Sequence, residues 1–354
     1  MKRTALYQKH LDLHAKMVEF AGFEMPISYK GIQEEHNFVR THMGMFDVSH
    51  MGEFLIEGED ALEFANHILT NRISNELHKV TYSLLCDEQG LVIDDLLAYV
   101  MKENQVLLVP NAANIEKDFA WIESHIKDYD VKLRNVSDAY SQVAIQGPEA
   151  ARNIAKILGE DLSNLPFMTY TVIPYNGAYI IVSATGYTGE NGYEVYGPHD
   201  SINKIWDRAI EIGVEPCGLG VRDTLRFEAG LPLYGNEIGG DINPYEAGLG
   251  FAIKLDKDFI GKEALAKAKE NLTRKSVGLE LLERGIPRHD YLVLHEDKVI
   301  GHVTTGYMIP GLETPVAVAL VDIDYSKIGT ELFVQIRGKN IKARVRNKKF
   351  LIKK

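Results

Sequence analysis

Two adjacent carboxylates, Asp94 and Asp95, stand inside the otherwise apolar run Leu91-Val92-Ile93-Asp94-Asp95-Leu96-Leu97-Ala98-Tyr99. The aliphatic and β-branched neighbours read as a buried strand. Side chains alternate along a strand, so the pair is sent to opposite faces and at least one member is aimed at a core or a cleft. A charge buried without a partner is expensive. Each aspartate is therefore partnered within the fold or held for a ligand.

Three further segments carry more glycine and aromatic residues than an ordinary surface needs. Gly44-Met45-Phe46-Asp47-Val48-Ser49-His50-Met51-Gly52 suits a pocket wall, although a packed turn has the same composition. In Thr185-Gly186-Tyr187-Thr188-Gly189-Glu190-Asn191-Gly192-Tyr193-Glu194, the glycines permit close backbone approach. Tyr187 and Tyr193 offer flat faces there and Glu194 a planar carboxylate; a hairpin carrying surface tyrosines is the plainer alternative. In the segment from Cys217 to Gly230, Arg222 opens a helix whose first amides favour anions, and Arg226 follows one turn later. Asp223 could pair with either arginine, so an ion network at a helix start is the competing reading. A carboxylate binds the edge of an amino-pyrimidinone through paired hydrogen bonds. Tyrosine stacks on such a ring, and arginine suits an anionic tail. These side chains permit a fused nitrogen heterocycle such as a pterin without requiring one.

Helical spacing predicts elements over Ala61–Leu69, Asn114–Lys127, Pro148–Leu158, Ser201–Ile212, Arg222–Ala229 and Lys262–Lys269. Between them, strands are expected at Gly52–Ile56, Gly90–Tyr99, Val106–Val109, Gln142–Ile145 and Ala178–Ser183. This order is α+β, with no regular βαβ repeat. After about Thr273 the pattern becomes short strands alone, with tight turns at Glu296-Asp297 and Gly338-Lys339-Asn340. That stretch reads as an all-β Greek-key barrel.

The chain has 354 residues and a net charge of −11. Such acidity argues against a general nucleic-acid binder. The locally basic tail (Arg344, Arg346, Lys348, Lys349, Lys353, Lys354) reads as a solvated strand edge. Cys86 and Cys217 are the only cysteines, in no metal-binding spacing, so neither a disulfide framework nor a structural zinc is expected. The sequence shows neither a signal-peptide pattern nor an apolar run of membrane-spanning length, which makes a cytoplasmic protein without a membrane partner the expectation. Gly218-Leu219-Gly220 fails as a dinucleotide fingerprint because Asp223 stands where the third glycine belongs. No phosphate-binding loop, zinc-protease motif or nucleophile elbow is present.

Several segments together resemble the glycine-cleavage T protein family of aminomethyltransferases. They are Ala21-Gly22-Phe23-Glu24-Met25-Pro26, Met45 to Met51, Ile93-Asp94-Asp95-Leu96, Asn111 to Asp118, Gln146-Gly147-Pro148, Thr185 to Glu190 and Gly218 to Arg226. The likeness runs in order from about Leu6 to about Val345. It implies a three-domain cloverleaf around a central folate channel. The domains would be 1–50 with 136–240, then 51–135 carrying the aspartate strand, then 241–354 with the barrel. It implies tetrahydrofolate as acceptor, the lipoylated H protein as donor and no metal. The products would be 5,10-methylenetetrahydrofolate, ammonia and the dihydrolipoyl carrier. Carried over by position, Asp95 would be the catalytic carboxylate. Tyr82, Leu97, Tyr99, Asn111, Tyr187, Glu194 and Arg222 would line the folate site, with Tyr82 and Tyr99 touching the ring or tail and Glu194 holding the pterin edge. Asp94 would face a structural network.

The sequence departs from the family pattern at Phe23, at Gly90-Leu91, at Pro110 and most of all at Thr305 to Pro315. The resemblance places that last loop at the channel mouth. Its altered residues keep open a paralogous folate-dependent demethylase working on a small-molecule donor. A non-enzymatic folate-binding relative would carry a reactive cysteine, and none lies within Phe227 to Gly235.

Overall fold

The computed structural model describes residues 1–352, so Lys353 and Lys354 of the basic tail lie outside the described residues. The chain divides into two compact units, Met1–Ser83 with Asp94–Leu225, and Leu84–Ile93 with Arg226–Lys354.

In the first unit a six-stranded sheet has the order Tyr170–Tyr175, Ala178–Ser183, Gly192–Gly197, Ser141–Gln146, Gly44–Asp47, Glu215–Cys217. The last pair is parallel and the others are antiparallel. The helix His199–Glu211 buries Ile202, Ile205, Trp206 and Ala209, an i, i+3, i+4, i+7 stripe. These side chains join Ile154 and Ile157 of the helix Ala150–Leu158 and Val143, Ile145, Val182 and Val195 of the sheet in one core.

A five-stranded sheet has the order Val80–Cys86, Val92–Lys102, Gln105–Val109, Phe54–Glu57, Lys132–Asn135. The strand Val92–Lys102 carries the two aspartates. Along it Val92, Asp94, Leu96 and Ala98 are buried, while Ile93, Asp95 and Leu97 are half-buried. The expected alternation is thus realised, and it divides the carboxylates between two faces.

In the second unit six strands close an antiparallel barrel in the order Arg274–Leu281, Val316–Asp322, Lys298–Tyr307, Leu292–His295, Glu331–Ile336, Lys339–Arg346. The first strand lies beside the fourth rather than the second, which is the crossover of a Greek key. Val277, Leu279, Val293, Val303, Ala319, Val321, Val334 and Val345 fill the interior. Two hairpins close with two-residue turns. Glu296-Asp297 turns where the sequence places it, with His295 paired to Lys298. The second turn is Arg337-Gly338, both at positive φ, and Lys339 and Asn340 already pair in the next strand. The turn sits one residue earlier than the sequence suggests because a primed turn needs positive φ at both central positions and Gly338 supplies the second.

Helix boundaries also move: the helix expected from Pro148 starts at Ala150. The helix expected from Ser201 starts at His199, directly after Pro198. The one expected over Asn114–Lys127 ends at Glu123. The one expected from Arg222 begins at Leu219, placing Arg222 fourth in the helix. Among the described residues, no helix is long and apolar enough to cross a membrane.

Candidate active site

Tyr82, Asp95, Asn111, Tyr187, Glu194 and Arg222 all belong to the first unit. Asp95 Oδ2 accepts the Tyr82 hydroxyl at 2.8 Å, and Asp95 Oδ1 accepts the Asn111 side-chain amide at 2.9 Å. Burial pushes the Asp95 carboxyl up and the charge of Asp94 adds to this, while the Tyr82 and Asn111 donors pull it down; the result is about 7. A carboxyl that titrates near neutrality can both hold and release a proton.

Asp94 has the opposite character. Its Oδ2 accepts the Asn111 backbone N–H at 2.9 Å, and its Oδ1 accepts the Asn111 and Asn114 side-chain amides at 2.8 and 2.7 Å. Three donors and full burial mark it as a structural anchor. The Asn111 amide also reaches Asp95, so one side chain fixes both aspartates.

Glu194 forms a second pole. It is 6 % exposed, and its Oε2 accepts the Thr185 hydroxyl at 2.6 Å. Behind Thr185 lie Ser183 Oγ at 2.9 Å, then the Tyr99 hydroxyl 3.2 Å from Ser183 and the Tyr196 hydroxyl 2.9 Å from Tyr99. Burial raises the Glu194 carboxyl above its ordinary range, opposed by the Thr185 hydrogen bond and the charge of Arg222. Its Oε1 has no hydrogen-bond partner among the described residues.

Arg222 lies over the Tyr187 ring, 4.6 Å from guanidinium carbon to ring centroid. It is delivered by a helix that starts at a fixed place. Gly218 precedes that helix with its N–H on Glu35 Oε2 at 3.0 Å, and any side chain at Gly218 would run into the Ile27 carbonyl. The other Glu35 oxygen gathers the N–H groups of Tyr29, Lys30 and Gly31. His50 is 2 % exposed, and its Nδ1 has no partner. Burial, aided by the Arg222 charge, pushes this imidazole down to about 4, so it stays neutral at neutral pH. Burial and Asp95 raise the Tyr82 hydroxyl most, and Tyr187 adds to them, so the Arg222 side of the site lies near the Asp95 side.

The structure therefore brings Tyr82, Asp95, Asn111, Tyr187, Glu194 and Arg222 into one neighbourhood. Leu97 lies half-buried two residues along from Asp95 and packs against the cluster of Tyr99, Leu107 and Val109. Tyr99 is fully buried with its hydroxyl committed to Tyr196 and Ser183, so it reaches the site through Thr185 rather than by presenting a face. Two residues singled out for their chemistry are structural. Tyr193 is buried and donates its hydroxyl to the Leu162 carbonyl. Arg226 belongs to the second unit, where it pairs with Glu237 at 2.7 Å. Asp47 likewise serves the fold, accepting Thr4, His10 and the Ser49 N–H.

Glu35, Asp118 and Thr185 surround the site and carry no individual role in the sequence alone. Asn114, a plausible N-cap by sequence, stands at the start of the helix Ile115–Glu123 without a side-chain cap bond and donates to Asp94 instead. Among the described residues, no group of three or more His, Cys, Asp or Glu side chains is arranged to hold a metal ion.

A family model described as the GCVT N-terminal domain matches residues 6–257, and one described as the glycine cleavage T-protein C-terminal barrel domain matches residues 274–351. An aminomethyltransferase of Alkaliphilus oremlandii is 47 % identical over 99 % of this chain and 97 % of its own length. One of Caldanaerobacter subterraneus is 47 % identical over 99 % of this chain and 96 % of its own. The crystal structure of glycine cleavage system aminomethyltransferase T from Bartonella henselae superposes with a TM-score of 0.92 at 33 % identity, covering 99 % of this chain and 98 % of that one. The chain belongs to the glycine cleavage T-protein family of aminomethyltransferases.

Proposed function

We propose that the chain transfers the aminomethyl group from the lipoyl arm of an H protein to tetrahydrofolate. The sulfur–carbon bond to the carrier and the carbon–nitrogen bond to the departing ammonia break. Two bonds from the same carbon to folate nitrogens form, and the two protons those nitrogens lose leave on ammonia and on the freed thiol. The products are 5,10-methylenetetrahydrofolate, ammonia and the dihydrolipoyl carrier.

The observation that carries this reading is Asp95, a half-buried carboxyl near neutrality held by two side-chain donors. Ionised, it stabilises the cationic carbon left when ammonia departs, and it accepts a proton from a folate nitrogen. Glu194 holds the N–H edge of the pterin, with Oε1 available to it. Tyr187 and Tyr82 border the ring, Leu97 supplies apolar contact, and Arg222 meets the anionic part of the ligand. Asn111 orients Asp95. Tyr99 supports Glu194 from behind. Holding two large reactants in register supplies much of the remaining acceleration.

The six-stranded sheet, the five-stranded sheet and the barrel support a three-part organisation with boundaries near residues 50, 135 and 240. Two buried thiols, Cys86 and Cys217, suit a reducing cytoplasm.

The test is Asp95→Asn assayed with tetrahydrofolate and aminomethylated H protein. The expected result is a loss of kcat of a hundredfold or more, on the order of removing a principal charge-stabilising group, with folate binding retained. Near-normal turnover would refute the role of Asp95. Transfer from a methylated amine without the carrier would replace the proposed donor.

A further inference from the structure

Asp118 lies fourth in the helix Ile115–Glu123 and is fully buried. Neither of its oxygens receives a hydrogen bond from any donor. After burial itself, Asp94 is the neighbour that acts on it most strongly. Two carboxylates cannot share a hydrogen bond, and an ionised one without donors is among the costliest groups to bury. Asp94 already collects three N–H donors, which suit it to the negative charge. The proton between the pair therefore belongs to Asp118, where it also completes the coordination of Asp94.

We propose that Asp118 is a neutral positioning acid that donates its carboxyl proton to Asp94 and, through Asp94 and Asn111, sets the geometry and charge of Asp95. The proposal deepens the reading of Asp95 as the catalytic carboxylate and rests on it. The charged groups acting on Asp118 are Asp94 and Asp95 from the strand and Lys117 from its own helix. Lys117 is turned toward Asn114 Oδ1 at 2.9 Å, an arrangement that leaves the Asn114 amide for Asp94. Burial and Asp94 together push the Asp118 carboxyl up to about 10, in the same direction as the geometry. The segment Asn111–Asp118 thus supplies Asp94 with every one of its donors, and Asp94 in turn serves as the fixed point beside which Asp95 titrates.

Two substitutions separate this role from plain packing. Asp118→Asn keeps a neutral donor, and Asp118→Leu removes it. Without that donor the negative charge of Asp94 is less compensated, so Asp95 beside it holds its proton to higher pH. The acidic limb of kcat against pH is expected to move up by about one unit in Asp118→Leu, the equivalent of one charge-assisted hydrogen bond. In Asp118→Asn it stays within about 0.3 units of the wild-type position, a margin well under the worth of such a bond. A limb that falls in Asp118→Asn would mean that wild-type Asp118 is charged, and an unmoved limb in Asp118→Leu would mean that it does not act on Asp95; either overturns the proposal. Infrared difference spectra of wild type against Asp118→Asn at neutral pH read the proton directly. The carbonyl stretch of a protonated carboxylic acid is expected in the wild type, and its absence overturns the proposal whether or not Asp118→Leu folds. The infrared reading needs no turnover, so a chain that transfers no aminomethyl group would defeat the functional reading while leaving this one decided.

Discussion

Tyr82 donates its hydroxyl to Asp95 across 2.8 Å, and the two residues come from neighbouring strands of the five-stranded sheet. The bond favours the ionised form of Asp95, against burial and the charge of Asp94, which favour the protonated form. Removing the donor in Tyr82→Phe should therefore raise the Asp95 pKa above about 7. A hydrogen bond to a charged acceptor is worth about 1.5 kcal/mol, or about one pH unit. The acidic limb of kcat/KM against pH should move upward by that amount, while the plateau at high pH changes little. A limb that stays in place would detach Tyr82 from the titration of Asp95.

Thr185 connects Glu194 to the buried hydroxyls of Ser183, Tyr99 and Tyr196. Thr185→Val is close to isosteric but deletes the 2.6 Å bond to Glu194 Oε2. The carboxylate then loses its fixed orientation toward the pterin edge. The expected outcome is a rise of about tenfold in the folate dissociation constant, since one hydrogen bond to a charged group corresponds to about 1.4 kcal/mol. Calorimetric titration measures it. Tyr99→Phe, two links further back, should show a smaller effect in the same direction. An unchanged affinity in Thr185→Val would show that Glu194 is positioned by other means.

Arg222 couples three groups through one charge. It stacks on Tyr187, opposes the burial that raises the Glu194 carboxyl, and adds to the burial that pushes the His50 imidazole down to about 4. Arg222→Met keeps a long apolar stem and removes the charge. His50 should then titrate at higher pH and Glu194 should be raised further, so the site loses anionic character at neutral pH. Folate binding should weaken by about two- to thirtyfold, matching a partly desolvated cation–π contact of about 0.5–2 kcal/mol. NMR titration of the His50 ring follows the first effect, and a His50 pKa that does not move would place the guanidinium out of electrostatic reach.

The sequence made the aspartate strand legible because a polar pair in an apolar run violates the local pattern, and period-two alternation then divides the pair without further information. The helix His199–Glu211 and the barrel strands were legible for a related reason: each buries one regular stripe. The strand Gly44–Asp47 was not, since its partners Ser141–Gln146 and Glu215–Cys217 lie far away in the chain; the local hairpin Lys16–Phe20 with Phe23–Ser28 was not, because it buries no regular stripe. Asp118 shows the same limit within the site. Its position in a helix reads as one more surface carboxylate, and only the tertiary fold brings it to Asp94 and empties its surroundings of donors. Tyr193 fails in the opposite sense, because a tyrosine in a glycine-rich loop invites a binding role that its bond to Leu162 already occupies.

Arg226 and Glu237 are 1 % and 6 % exposed, and their side chains meet at 2.7 Å. Glu237 also accepts the Thr304 and Thr305 hydroxyls at 2.8 and 2.6 Å and the Leu233 N–H at 3.0 Å. Arg226 donates in addition to the Leu231 carbonyl at 3.2 Å. This carboxylate is therefore fully coordinated, and removing the guanidinium leaves a buried charge short of its strongest donor. Arg226→Met should destabilise the second unit by about 3–5 kcal/mol, the range found when one partner of a buried pair is removed. The double variant Arg226→Met, Glu237→Gln removes both charges and keeps an amide for the two threonines, so it should regain a large part of that loss. Denaturant unfolding of the four members of the cycle gives the coupling directly. A single variant as stable as the wild type would return Arg226 to the ligand-binding candidates; a double variant no better than the single would show that packing of the arginine stem, rather than the charge pair, stabilises this part of the chain.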